Sequence, residues 1–295
     1  MAASSGPRRL IIDSQVHIWK AETPDRPWPA GGAARAHLPE PFGYDPLVSL
    51  MNEAGVDRTI LVPPSWEGDR NDYALEAAAT FPDRFAVMGR IRVDDPASAA
   101  LLSKWRDRPG MLGIRLTFLG SQASWVNDGT AEWFWPAAEK ARIPVMCLIR
   151  HGPADLARIA EQHPQLTLIL DHMGLAGEMH LGVSDEASRA RLRAGAIAQT
   201  VSLSRYPNVS VKLSSAPAYS FEAYPFRDMA SHIRRVVDAY GPRRCYWGTD
   251  LTKAVGTISY RDHVRYFTEA LEFLSEQDKD WIMGRAILAR LGWAA

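Results

Sequence analysis

Short apolar runs alternate along the chain with longer segments in which apolar residues recur every three to four positions. The short runs are continuously apolar and rich in Val, Ile and Leu, which is typical of parallel strands that are buried on both faces. We predict strands at residues 10–12, 59–62, 85–88, 113–116, 145–149, 167–170, 209–212 and 245–247. The longer segments predict helices, among them 45–54, 71–81, 97–105, 132–141, 154–162, 261–274 and 279–291. Eight such units predict an α/β fold, a (β/α)8 TIM barrel that forms one domain over residues 1–295.

Composition excludes several classes of partner. Lys plus Arg equals Asp plus Glu at 34 each, so the chain has no net positive charge that would attract nucleic acid or an acidic membrane. No apolar run has the length of a membrane span, and the polar start of the chain is not followed by a signal-type apolar region. We therefore expect a cytoplasmic protein without nucleic-acid or membrane partners. Cys147 and Cys245 each lie in an apolar run, which predicts buried, reduced thiols.

The barrel places its chemistry at the carboxyl ends of the strands, where active sites of this fold lie. Polar and ionisable residues follow all eight predicted strands. In chain order they are Asp13, Gln15, His17, Ser65, Trp66, Arg90, Arg92, Arg115, Thr117, Arg150, His151, Asp171, His172, Lys212, Ser214 and Asp250. Three histidines and an aspartate at four different strand ends exceed what turns require, so we predict the active site here. A proline-rich insertion at 23–46 follows the first strand and is expected to cover this mouth.

The end of the first strand raises the question of a metal. Two histidines separated by one residue can bind one metal ion, but here Gln15 takes the first place and only His17 the second. A neutral amide oxygen is a weak zinc ligand, so we expect Gln15 to contact the substrate or to orient a neighbour. The metal ligands that we predict are His17, His151, His172 and Asp250. We expect one divalent metal at most, zinc before manganese, and metal-free catalysis stays open.

Several segments together resemble a known superfamily. They are DSQVHIW, PPSWEGDRNDYALEAA, GIRL, LDHMG, VKLSS and YWGTD, which occur in order over nearly the whole chain. They are similar to the amidohydrolase-related superfamily, in particular to its lactonases that act on sugar lactones, pyrone dicarboxylate and muconolactones. The first third is also similar to sulfomuconolactone hydrolases. The sequence departs from the family at Gln15 and at 284–286, where Gly-Arg-Ala replaces Gly-Asn-Ala.

The resemblance implies hydrolysis or decarboxylation at the barrel mouth and suggests roles for matched residues. Asp250 would be the general base that takes a proton from water. His172 would contact a metal or polarise the carbonyl group under attack, and a metal or protonated His172 would stabilise the oxyanion. The branch contains both zinc-dependent and metal-free lactonases, so the resemblance does not decide whether a metal is present. Many relatives associate, so a homo-oligomer is expected as well.

Basic residues near four strand ends predict an anionic substrate, because guanidinium groups bind carboxylate or sulfonate in a two-pronged geometry. The residues concerned are Arg90, Arg92, Arg115, Arg150 and Lys212. Arg115 is the best single candidate, because the resemblance also places an anion contact in its strand. Trp19 and Trp66 are candidate walls for a flat or cyclic substrate.

These observations favour a hydrolase that opens a small anionic lactone of the muconolactone or dicarboxylate type. A metal-dependent decarboxylase of a small aromatic or unsaturated acid is the first alternative, since it also binds a carboxylated ring. A non-catalytic barrel that binds a small acid is the second, suggested by the missing histidine.

Overall fold

Eight parallel strands lie in chain order, β1 to β8, in one sheet. A computed structural model describes residues 8–149, 154–175 and 185–294. The strands are β1 (Ile12–Val16), β2 (Arg58–Leu61), β3 (Phe85–Gly89), β4 (Met111–Phe118), β5 (Val145–Ile149), β6 (Leu168–Leu170), β7 (Val209–Lys212) and β8 (Cys245–Tyr246). Backbone N–H groups of Ser14 and Asp250 donate to the carbonyls of Trp247 and Gln15, at 3.2 and 2.8 Å. These bonds join the two edge strands, so the sheet is a nearly closed barrel, as predicted.

Helices follow the strands and cover the outside of the barrel. They are α1 (Gly32–Arg35), α2 (Tyr44–Ala54), α3 (Asp72–Thr80), α4 (Ala99–Leu102), α5 (Phe134–Lys140), α6 (Ala154–Gln162), α7 (Glu186–Ser202), α8 (Arg227–Tyr240), α9 (Tyr260–Arg265), α10 (Glu276–Asp280) and α11 (Ala286–Leu291). The predicted helix at 261–274 ends early, because a π-turn at Tyr266–Ala270 replaces its second half. The predicted helix at 279–291 is likewise divided by a π-turn at Trp281–Arg285.

The core has two parts. Most buried side chains lie between the sheet and the helices, whereas a smaller cluster inside the barrel joins Ile12, Ile60, Met146 and Ile169 to Ile287 of α11. Apolar side chains thus fill one end of the barrel and leave the opposite end to polar groups. Cys147 and Cys245 are buried free thiols, as predicted.

Strand β1 differs from its predicted position. It begins at Ile12 and continues to Val16, whereas the prediction ended the strand at residue 12. Asp13 and Gln15 therefore belong to the strand, since β1 pairs with β2 from Ile12 to Val16 with a shift in register after Asp13. Neither side chain is exposed at the rim: Gln15 contacts Lys212 in the barrel interior, whereas Asp13 accepts hydrogen bonds from Thr249 and from Tyr260 of α9.

The insertion after β1 is fastened across the barrel mouth. Arg26 forms ion pairs with Glu67 and Asp72, at 3.0 and 2.6 Å. Lys20 pairs with Glu76 at 2.8 Å. Gly32 packs so closely on this wall that a Cβ atom there would lie 2.7 Å from the carbonyl oxygen of Trp66. Among the residues that the structure describes, no helix is both long and apolar enough to cross a membrane.

Candidate active site at the carboxyl ends of the strands

Asp250 lies at the centre of the mouth, in the turn that follows β8. Its backbone is left-handed, with φ of 54°, which is uncommon for a residue other than glycine and occurs often at functional sites. The residue is 3% exposed, and its Oδ2 accepts a hydrogen bond from the Ser215 hydroxyl at 3.2 Å. Burial opposes ionisation of Asp250, but the hydrogen bond and charge of His17 outweigh it and hold the pKa of the carboxyl well below its ordinary value. Asp250 is therefore a buried, ionised carboxylate.

Two imidazoles face the two oxygens of this carboxylate. His17 Nε2 lies 3.3 Å from Oδ1, and His172 Nε2 lies 3.9 Å from Oδ2. His17 Nδ1 donates to the carbonyl of Val62 at 2.6 Å, so its Nε2 is the nitrogen left for the site. The structure thus brings together Asp250, His17 and His172, which the sequence placed at three different strand ends.

His172 is held by the loops after β6 and β7. It and Met173 both have left-handed backbones, with φ of 52° and 56°, in the short turn that follows β6. The His172 Nδ1 lies 2.8 Å from the Ser214 hydroxyl and 3.3 Å from that of Ser215. Burial lowers the pKa of His172 to about 3. The imidazole is neutral at pH 7, which argues against the expected role of protonated His172 at the oxyanion.

Gln15 links His17 to a buried ion pair under the site. The Lys212 ammonium donates a hydrogen bond to Gln15 Oε1 and pairs with Asp171 Oδ1 at 2.7 Å. Because an ammonium is only a donor, it fixes the orientation of the amide. The Gln15 amide N–H groups then face His17 Nε2, at 3.2 Å between the nitrogens. Gln15 therefore orients a neighbour, one of the two roles expected for it, and neither Gln15 nor Lys212 is exposed at all. Substrate contact by these two residues stays a prediction.

Asp171 forms ion pairs with two cationic side chains. It pairs with Lys212 and also accepts from Arg115 Nε at 3.0 Å. Burial opposes its ionisation, but Lys212 and Arg115 outweigh the burial and lower its pKa to about 2. One positive charge of this trio is therefore uncompensated within it, although the chain is neutral overall.

Arg90 and Arg115 converge on one side of the mouth. Both guanidinium groups donate to the hydroxyl of Thr117, Arg90 at 3.1 Å. Arg90 also lies 3.3 Å from Asp69, and burial lowers the pKa of Arg90 to about 10, so it is charged at pH 7. Both side chains line a small cavity that includes Gln122 and Trp125. Two buried guanidinium groups around a cavity make a suitable site for an anionic group.

The remaining predicted residues have different positions. Arg92 is exposed and pairs with Asp94 at 3.2 Å, outside the mouth. Trp66 is 4% exposed and lies 5.5 Å from the His17 ring, so it borders the site. Trp19 is 1% exposed and packs behind Trp66 at 5.1 Å, which makes it a supporting residue in the core. Arg150 and His151 lie outside the described residues.

Two site residues were missed by the sequence analysis. Thr117 was named only as a strand-end residue, although both guanidinium groups meet on it. His37, in the insertion, was not considered at all, yet its ring lies 5.4 Å from that of His17. Its position in a segment expected to cover the mouth was the available signal.

The described residues do not form a metal centre by themselves. Within residues 8–149, 154–175 and 185–294, no group of three His, Cys, Asp or Glu side chains could hold a metal ion. A metal would also compete with the Gln15 amide for the lone pair of His17 Nε2, since only neutral imidazole binds metal. His151, the fourth predicted ligand, lies outside these ranges.

Comparisons with known proteins agree with the fold and the motifs. The family model described as "Amidohydrolase" matches residues 12–289. An L-fucono-1,5-lactonase of Burkholderia ambifaria is 30% identical over 250 residues, which cover 81% of this chain and 79% of that protein. A 4-sulfomuconolactone hydrolase of Hydrogenophaga intermedia is 25% identical over 224 residues, 73% of this chain and 67% of that protein. Both carry the names of lactone hydrolases, as the resemblance predicted.

The fold is shared with a crystal structure of an amidohydrolase from Burkholderia multivorans with bound Zn. The TM-score is 0.77 at 22% identity, and the match covers 96% of this chain and 99% of that one. This likeness confirms the predicted barrel.

Proposed function

The chain belongs to the amidohydrolase family, and we propose that it is a lactonase that opens a small anionic lactone by attack of water. The observation that carries this proposal is the buried, ionised carboxylate of Asp250 between the Nε2 atoms of His17 and His172. The names of the two curated relatives support lactone hydrolysis over decarboxylation.

Asp250 would act as the general base. Its ionised carboxylate is available at neutral pH, and its Oδ1, which lies 3.3 Å from His17 Nε2, has a second lone pair for water. Water bound at this oxygen gives a proton to Asp250 while its oxygen attacks the lactone carbonyl. His17 Nε2 faces both the carboxylate and the Gln15 amide. It orients Asp250 Oδ1 and the oxygen of the attacking water.

The tetrahedral intermediate then collapses. A neutral His172, with Nδ1 held by the Ser214 hydroxyl, presents Nε2–H as a donor to the oxyanion. The bond between the acyl carbon and the ring oxygen breaks, and the ring oxygen takes the proton from Asp250 to leave as an alcohol. One water is consumed, and a hydroxy acid is the product.

The anionic group of the substrate would bind at Arg90 and Arg115. These guanidinium groups stay charged through turnover and share Thr117, so they hold a carboxylate or sulfonate in one orientation. Arg150, Lys212 and Trp66 belong to the proposed binding surface as predictions.

A divalent metal has no step in this mechanism, because the described residues do not fit one. Zinc, and after it manganese, would need His151 as a further ligand beside His17, His172 and Asp250, and would supply Lewis-acid activation of water or carbonyl. The Burkholderia multivorans structure contains bound zinc, which supports a test of this metal-dependent alternative. A cytoplasmic location and a homo-oligomer are further predictions.

Assays on three lactones test the function. We expect the purified protein to hydrolyse at least one of L-fucono-1,5-lactone, 2-pyrone-4,6-dicarboxylate and 4-sulfomuconolactone, with release of acid and no carbon dioxide. Asp250→Asn should lower kcat about a thousandfold or more while the far-UV circular dichroism is unchanged. Carbon dioxide release would establish a decarboxylase, and binding without turnover would establish the non-catalytic barrel.

A further inference from the structure

His37 enters the site from outside the barrel. It lies in the insertion after β1 rather than at a strand end, and its ring centroid is 4.7 Å from the Trp66 ring and 5.4 Å from the His17 ring. The mouth therefore contains a third imidazole in addition to His17 and His172. The insertion thereby supplies an imidazole beside the strand in which Gln15 stands in place of a histidine.

The orientation of His37 is determined by the turn that follows β8. Its Nδ1 lies 2.9 Å from the hydroxyl of Thr252, which is 1% exposed and two residues beyond Asp250. With Nδ1 engaged and the ring packed against Trp66 at an angle of 54° between the ring planes, Nε2 is the polar atom left for a ligand. The ion pairs of Arg26 join the insertion to Glu67 in the loop after β2 and to Asp72 of α3.

His37 is held by uncharged groups, the Thr252 hydroxyl and the Trp66 ring. A neutral imidazole forms one hydrogen bond with a hydroxyl or ether oxygen but does not neutralise a carboxylate. The mouth thus has two chemically different sides. One carries the guanidinium groups of Arg90, just after β3, and Arg115 in β4, and the other carries the rings of His37 and Trp66 beside His17.

We propose that His37 is a substrate-contacting, specificity-determining residue that binds a neutral oxygen of the lactone, a hydroxyl or the ring oxygen, through Nε2. This inference rests on the proposed lactonase function. It extends that function because contact with His37 would fix the orientation of the substrate. The anionic group lies toward Arg90 and Arg115, the carbonyl lies over Asp250, and the hydroxylated or ring-oxygen end lies against His37 and Trp66.

Steady-state kinetics of His37→Ala and Thr252→Val test the assignment on the lactone that the wild type hydrolyses best. His37→Ala should raise KM about tenfold and lower kcat by less than about threefold. Thr252→Val should also raise KM, but by less than His37→Ala does. The His37 imidazole stays in the site but loses the hydrogen bond that orients it. His163→Ala, a half-buried histidine that contacts Glu139 on the outside of the barrel, is the matched control and should leave KM within about twofold of wild type.

Calorimetric binding separates this inference from the proposed function. L-fuconate and citrate serve as hydroxy-acid probes that need no turnover, and His37→Ala should weaken the binding of L-fuconate by about tenfold. Equal binding by wild type and His37→Ala, or no binding by wild type, would overturn the role of His37 whatever the lactone assay gives. A fall in kcat and Tm with unchanged KM would identify a structural role instead. Failure to hydrolyse any lactone, with L-fuconate binding still lost in His37→Ala, would overturn only the lactonase.

Discussion

His17 Nε2 lies 3.3 Å from Asp250 Oδ1, and the nitrogen of the Gln15 amide lies 3.2 Å from the same imidazole nitrogen. A neutral Nε2 accepts a hydrogen bond from Gln15, whereas a protonated one donates to Asp250. In neither arrangement is the lone pair of His17 Nε2 free for a metal. Gln15 therefore takes the place of one histidine ligand and also forms a hydrogen bond with the other candidate ligand, His17.

Chelation tests this consequence. After dialysis against 1,10-phenanthroline and removal of the chelator, we expect the protein to keep more than about half of its kcat/KM, because no step depends on a metal. Metal content measured by atomic emission on the same sample is the control for complete removal. Loss of activity that zinc restores better than manganese would instead establish a metal centre that includes His151.

Arg115→Met is expected to raise KM for an anionic lactone about tenfold or more, because the variant loses one of two guanidinium groups that share Thr117. KM for uncharged L-fucono-1,5-lactone should change by less than about threefold. Arg92→Met is the matched control, since Arg92 is exposed and pairs with Asp94 outside the mouth. Equal effects of Arg115→Met and Arg92→Met would remove Arg115 from the binding site.

Lys212→Met should destabilise the fold by about 3 kcal/mol or more, because Asp171 then keeps a buried charge with one cation fewer. Urea denaturation measures this change in the free energy of unfolding. Lys140→Met on the exposed surface of α5 is the control and should change it by less than about 0.5 kcal/mol.

The same variant should alter the dependence of stability on pH. Since the folded-state pKa of Asp171 is lowered to about 2, its ionised form contributes stability that is present above its unfolded pKa and is lost as pH falls from about 4 to 2. Lys212→Met raises the folded-state pKa of Asp171, so the stability difference from wild type should be largest above pH 4 and shrink below it. A difference that stays constant down to the pH of acid unfolding would contradict this coupling.

Gly248→Ala should loosen the junction between β8 and β1. A Cβ atom at this position, just after β8, would lie 2.6 Å from Ser14 Oγ and 3.3 Å from Asp13 Oδ1, and both of these residues are fully buried in β1. We expect a loss of about 2 kcal/mol in the free energy of unfolding. Gly195→Ala in α7 is the control: nothing lies within 4 Å of its added Cβ, so it should stabilise the fold by about 0.5 kcal/mol or more.

Much of the fold was predictable because parallel strands that are buried on both faces require continuous apolar runs. The predicted bounds of β5 and β7 agree with the structure at both ends. Errors arose where pairing with a neighbour decides the bounds, as at β1, and where apolar spacing continues through a π-turn, as at Tyr266–Ala270. The local pattern of apolar and polar residues specifies neither the pairing of a strand with its neighbour nor the place of a π-turn.

For the candidate site, the sequence by itself determined which residues stand at the strand ends, because strand order and direction bring Asp250, His17 and His172 to one rim. Tertiary structure decided what those residues do to one another. Gln15 is oriented by Lys212, which lies 197 residues away in the chain, and His37 is oriented by Thr252, 215 residues away. Such contacts depend on how a strand is rotated and how an insertion folds back over the mouth, and burial then sets the pKa values of the groups enclosed there. Residue types and spacing do not encode these distances, so the pairing of Gln15 with His17 and Lys212 became visible only in the folded barrel.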